Sequence, residues 1–135
     1  MTATPVYVAD GSALTALFGG DPVMLDVHLQ ADEGSAILIL PSLAVLQATI
    51  ASGAGEDAWQ AILFPSGTHV ADLRATTGIA LGRAAGGGKN PPLDELQILH
   101  TAWETEQLGR DAWVLTTTPA AYRPYPVRVI DINLN

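Results

Sequence analysis

Two observations predict an α/β domain. Short apolar, β-branched runs alternate with segments of helical length, and most of these runs end where a capping residue or a proline opens the next helix. Five such runs, with helices between them, predict a three-layer α/β/α arrangement around a mainly parallel five-stranded sheet. The chain has 135 residues, which suits one domain over 1–135, because single cores commonly serve roughly 100 to 200 residues.

The first run is Val6-Tyr7-Val8-Ala9, closed by Asp10-Gly11-Ser12, which turns the chain into a short helix from Ser12 to Phe18 that Gly19-Gly20 stops. Asp21-Pro22 supplies an N-cap followed by proline at the first helical position, and Met24, Leu25, His28 and Leu29 fall on one face of the helix that follows. Ala36 to Leu40 is continuously apolar, as a strand covered on both faces requires, and Pro41-Ser42 opens a helix carrying Leu43, Leu46 and Ile50. Glu56 to Phe64 reads as helix and Thr68 to Ala71 as strand, with Asp72 capping a helix that carries Leu73, Ile79 and Leu81 and ends at Gly86-Gly87-Gly88. Pro91-Pro92 leads into the clearest helix, Leu93 to Leu108. Leu96, Leu99, Trp103 and Gln107 share a face of it, and Gly109 stands where a C-terminal cap belongs. Ala112 to Leu115 and Val127 to Ile132 are the last two strands. In such sheets ligands bind outside the carboxyl ends of the strands.

Hydrophobic residues make up 48% of the chain and charged residues 15%, the balance of a sequence that folds unaided rather than a disordered one. No apolar run approaches the roughly 18 residues of a membrane span, and no basic segment leads into an apolar stretch, so the expected location is cytoplasmic, with no membrane partner. The absence of cysteine excludes disulfides, thiolate zinc sites and thiol nucleophiles. Fourteen acidic against six basic residues give a net charge of -8 at pH 7, which weighs against phosphate-backbone binding and leaves RNA an uncertain partner. The nearest approach to a basic patch is Arg74, Arg83 and Lys89, and a basic protein partner is at least as compatible.

Asp10, at the carboxyl end of the first strand with Ser12 two residues on, is the best candidate for a site. An equal alternative is that Asp10 satisfies backbone donors in the strand-to-helix turn. Gly82 to Asn90 lacks the first glycine and the terminal Ser or Thr of a phosphate loop, so it reads as a connection in which Lys89 contributes only charge. His28, His69 and His100 form no ligand motif. Trp59, Trp103 and Trp113 are assigned to the core or an interface. No nucleophile elbow surrounds any serine, and Thr116, Thr117 and Thr118 have hydroxyls but no base.

Three stretches, in this order and spacing, carry a resemblance. The first two are Val6-Tyr7-Val8-Ala9-Asp10-Gly11-Ser12-Ala13-Leu14 and Ile39-Leu40-Pro41-Ser42-Leu43-Ala44-Val45-Leu46-Gln47. The third begins with Leu99-His100-Thr101-Ala102 on a helix ending at Gly109, and continues through Trp113-Val114-Leu115-Thr116-Thr117-Thr118-Pro119 to Val127-Arg128-Val129-Ile130-Asp131. Over nearly its whole length the chain resembles the PIN-domain family, in particular the VapC toxins of bacterial toxin-antitoxin pairs. The resemblance implies a metal-dependent ribonuclease in which about four carboxylates bind Mg²⁺ or Mn²⁺ and activate water. It places the first of these acids on Asp10, but the other three positions fall on Gln47, Ile98 and Thr118.

Two expectations follow. In the first, the fold persists without the nuclease chemistry, no cofactor is needed, and the domain acts through a protein or a ligand. An antitoxin-like partner and a homodimer are the forms of contact the resemblance implies. In the second, Asp10 works with Asp94 or Glu95 as substitute acids, Ser12 and Thr116 support them, and Mg²⁺ or Mn²⁺ is the cofactor. Asp94 and Glu95 stand one helical turn before Ile98, at spacings that share its face, although acids in a first turn also simply complement the helix dipole.

Overall fold

The structure is a computed structural model that describes residues 4–85 and 91–133. Gly86, Gly87, Gly88, Lys89 and Asn90, to which a helix stop and a charge were assigned, lie outside the described residues.

The chain runs β1 (Val6–Ala9), α1 (Gly11–Phe18), α2 (Pro22–Glu33), β2 (Ile37–Pro41), α3 (Ser42–Ser52), α4 (Glu56–Leu63) and β3 (Thr68–Ala71). It continues through α5 (Ala75–Ala85), α6 (Leu93–Gln107), β4 (Ala112–Thr116), a 3-10 turn (Pro119–Tyr122) and β5 (Arg128–Asp131). The five strands form one sheet in the order β3-β2-β1-β4-β5, and every neighbouring pair is parallel. The predicted α/β class and the five strands are observed, with the sheet wholly parallel rather than mainly so. The chain steps one way from β1 to β2 to β3 and then jumps back across to β4, so crossovers of the usual right hand place the helices of the two directions on opposite faces. No helix among the described residues is long and apolar enough to cross a membrane.

The strands are apolar because both faces are covered. Val8, Leu38, Leu40, Val114 and Leu115 are fully buried, and Leu14, Met24, Ile98 and Ile132 close over them from the flanking segments. Each such side chain contributes about 1.5–3 kcal/mol by leaving water.

Which helical face is inward differs from the sequence reading in three helices. In α2 the buried stripe is Met24, Val27 and Ala31, and Leu25 and Leu29 are exposed. In α3 Ala44 and Ala48 face inward and Leu46 and Ile50 outward. The reason is close approach: α3 packs on α1 so tightly that a Cβ added to Gly11 would collide with Gln47, and only small residues fit such a seam. In α6 the buried face is Leu96, Gln97, Ile98, Thr101, Ala102 and Thr105, while Trp103 is 58% exposed. Asp72 and Leu73 precede α5 rather than belonging to it, because its first turn closes with the Gly78 amide donating to the Arg74 carbonyl. Gly109, with φ 83, does end α6 in the left-handed conformation expected of it.

Of the tryptophans, Trp59 is buried edge-on against Phe18. Trp113 lies beneath the Arg128 guanidinium, which is bound in turn by Glu106 and Asp111. Trp103 belongs to neither core nor strand packing and stacks on His100, itself paired with Glu104. His28 ties α2 to α4 through the Ile62 carbonyl at 2.9 Å.

Candidate functional site

The strand order reverses at β1, which lies between β2 and β4, so the crevice of a doubly wound sheet falls outside the carboxyl ends of β1 and β4. Asp10 sits there. Its amide extends the sheet by donating to Leu115, and its extended backbone makes it the N-cap of α1. Oδ1 accepts from the Ala13 amide at 2.9 Å and from the Ser12 hydroxyl at 2.6 Å, while Oδ2 accepts from the Tyr122 hydroxyl at 2.9 Å. Asp10 is 5% exposed and Tyr122 2%.

Around the carboxylate the polar groups are neutral. Ser12 Oγ accepts from the Thr117 amide at 2.9 Å and lies 3.3 Å from Thr116 Oγ1. Thr116 Oγ1 accepts from the Thr118 amide at 3.0 Å and lies 3.3 Å from the Thr118 hydroxyl. These bonds lock the end of β4 to the start of α1. Ser12 and Thr116 thus meet Asp10 in one network, and Thr118 joins it through a hydroxyl.

The acids on α6 meet this network electrostatically. Partial burial, then the charges of Asp94 and Asp10, hold the Glu95 carboxyl above the usual carboxylate range. Burial, followed by the charge and hydrogen bond of Asp10 and then the charges of Glu95 and Asp94, pushes the Tyr122 phenol far above its ordinary range. Tyr122 therefore remains a protonated, neutral donor. Ile98, one turn further along α6, is sealed in the hydrophobic core and does not face the crevice. Gln47 lies at the α1–α3 seam against Gly11.

No family model, curated protein or solved structure matches this chain. The residues present are a poor fit to Mg²⁺ or Mn²⁺. Such ions need several oxygen ligands at about 2.0–2.1 Å for Mg²⁺, and the Asp10 oxygens are engaged by three donors. Gln47 and Thr118 add no charge, and among the described residues no three His, Asp or Glu side chains group closely enough to hold a metal. Among the described residues there is no compact basic patch: Arg74 precedes α5 and Arg83 is in its last turn, about 13 Å apart at 1.5 Å per residue. Arg74 also shares its hollow with Asp72 and Glu104.

Two residues escaped the sequence reading. Tyr122 reaches Asp10 from a segment that reads as turn, and only an aromatic ring directly after Ala120-Ala121 hints at burial. Gln97, 1% exposed, accepts from the Leu43 amide at 2.8 Å and donates to the Ala71 carbonyl at 3.1 Å. It therefore ties α6 to the start of α3 and the end of β3. Its signal was an amide flanked by Leu96 and Ile98, since a polar side chain on a buried face must find partners.

A further concave surface is largely apolar. Leu81, Leu96, Leu99, Trp103 and Tyr125 line a groove of about 480 Å³ between α5 and α6. A hollow of about 390 Å³ continues it past Trp103 to Pro126 and Val127.

Proposed function

We propose that this chain is a PIN-like domain that keeps the α/β/α scaffold without its nuclease chemistry and works by binding a protein or an apolar ligand. The carrying observation is the state of Asp10: both oxygens already accept hydrogen bonds, Oδ1 from Ser12 and Ala13 and Oδ2 from Tyr122, the bonds of a helix cap and a buried turn. With Gln47, Ile98 and Thr118 at the other acid positions of the resemblance, Asp10 has no partner carboxylate there to help hold an ion that would acidify a water. The groove beside Trp103 supports a binding role, because its volume lies in the range of about 300–1,000 Å³ typical of ligand sites and its lining is largely apolar.

The test is RNA cleavage in Mg²⁺ and Mn²⁺ by the wild type, Asp10→Asn and Glu95→Gln. Asparagine retains an oxygen for the cap, so lost activity would not merely report a lost fold. The expected result is no metal-dependent cleavage by the wild type above that of Asp10→Asn. Cleavage that requires metal and disappears in both variants would overturn the proposal.

One observation favours a second reading, a ribonuclease using Asp10 with Glu95 or Asp94. Burial first, then the charges of Asp94 and Asp10, raises the pKa of the Glu95 carboxyl, so Asp10 and the substitute acids feel one another's charge. The same assay decides between the two.

A further inference from the structure

We infer that the groove between α5 and α6 is a site for a small organic cation, one that carries a quaternary or alkylated ammonium on an apolar body. This rests on the binding reading above and names the class of ligand. The apolar body belongs with Leu81, Leu96 and Leu99 in the groove of about 480 Å³. Leu99, Trp103 and Tyr125 also line the hollow of about 390 Å³ that continues it, and Glu106 lines that hollow beside them. Aliphatic walls, two aromatic rings and a carboxylate thus follow one another along one depression.

The faces of aromatic rings carry negative partial charge, so Trp and Tyr attract an ammonium lying within about 6 Å of the ring centroid. Trp103 is placed for this contact. Its ring is 58% exposed and is braced by the His100 imidazole, with centroids 6.0 Å and planes 27° apart. Glu104 holds the imidazole in turn, at 3.1 Å. The indole is therefore ordered without being buried.

The sign of the ligand's charge follows from the acids. Glu106 shares the Arg128 guanidinium with Asp111, at 2.7 and 3.4 Å, so two carboxylates face one cation and negative charge is left over. Glu104 and Glu106 also stand near the C-terminal end of α6. That is the negative end of the helix dipole, where acids cost stability and a cation restores it. The net charge of -8 adds a long-range attraction of the same sign. A neutral apolar ligand would fill the leucine-lined part and draw nothing from these groups.

The experiment is calorimetric titration of phenyltrimethylammonium, and of its uncharged isostere tert-butylbenzene, into the wild type and Trp103→Leu, with folding checked by circular dichroism. Leucine stays apolar, removes the aromatic face and leaves the net charge unchanged, so a diffuse attraction to the acidic surface would survive the substitution. The expected result is that the cation binds the wild type at least about tenfold tighter than the isostere does. Trp103→Leu should weaken the cation about three- to tenfold more than it weakens the isostere. If the isostere binds as tightly as the cation, the inference is overturned and the groove remains a site for an apolar ligand. If Trp103→Leu weakens both alike, the indole face has no part in recognising charge and the inference falls. No binding of the cation overturns it too, without touching the non-catalytic reading, which RNA cleavage decides. A measurement on the wild type alone covers the case of an unstable variant: the ligand methyl protons should show nuclear Overhauser contacts to the Trp103 indole, and contacts confined to other residues would refute the site.

Discussion

Gln97→Leu isolates one buried amide and its two bonds. Leucine has a similar volume, so no large cavity accompanies the change. Removing the acceptor leaves the Leu43 amide without the bond that caps α3, whose N-terminal Pro41 provides no side-chain cap. A buried donor left unpaired costs about 1–3 kcal/mol. The lost bond to Ala71 adds about 1 kcal/mol rather than more, because the Ser42 hydroxyl still serves that carbonyl at 2.9 Å. Burying leucine instead of an amide returns about 1 kcal/mol, for a net loss of about 1–3 kcal/mol. With an unfolding entropy of about 2.1 cal/mol/K per residue, this corresponds to a fall in Tm of about 4–10 °C. Urea and thermal denaturation measure it directly. Adding Ser42→Ala should cost more than the two single changes combined, since the Ala71 carbonyl then loses both partners. A Gln97→Leu protein as stable as the wild type would refute the claim that this amide holds α6 against the ends of α3 and β3.

Asp10→Ala is expected to lose about 2–4 kcal/mol in urea unfolding, from a missing helix cap and an orphaned Tyr122 hydroxyl, with Asp10→Asn between it and the wild type; equal stabilities would deny Asp10 its structural role. Gly11→Ala places a Cβ 2.9 Å from Gln47 Cβ and should cost about 1–3 kcal/mol. Adding Gln47→Ala should recover only part of this, because the obstructing Cβ remains, and full recovery would show that the amide end alone was in the way. The Glu95 carboxyl holds its proton more tightly folded than unfolded, so the folded state loses stability as pH rises from the ordinary carboxylate range through the raised value. Glu95→Gln should therefore melt above the wild type at pH 7, and the two should converge below about pH 4. A wild type that is the more stable at pH 7 would reverse the assigned sign.

The α/β class was legible because a fully covered parallel strand must be continuously apolar, and Ile37–Pro41 and Ala112–Thr116 announce themselves that way. Helix faces were less legible. Counting large apolar residues favoured Leu46 and Ile50, yet α3 packs through Ala44 and Ala48, because a seam set by close approach selects for smallness. The site divided along the same line. Asp10 and Ser12 are neighbours in the chain, so their turn chemistry shows locally. Tyr122 and Gln97 act on Asp10, Leu43 and Ala71, contacts made only once the sheet and helices are assembled. Asp94 and Glu95 were named from helical spacing relative to Ile98, although Ile98 itself lies in the core.

The central place of β1 bears on how the chain acquires its shape as it is made. One edge of β1 pairs with β2 within the first third of the sequence, but the other waits for β4, with Val6 opposite Ala112, roughly a hundred residues later. Until then a nascent chain that has built β1, β2 and β3 presents the apolar run Val6–Ala9 as an unpaired strand edge, open to any other extended segment nearby. Truncations ending before Ala112 should therefore aggregate rather than form a smaller domain, and the last quarter of the chain seals the middle of the sheet rather than extending its rim.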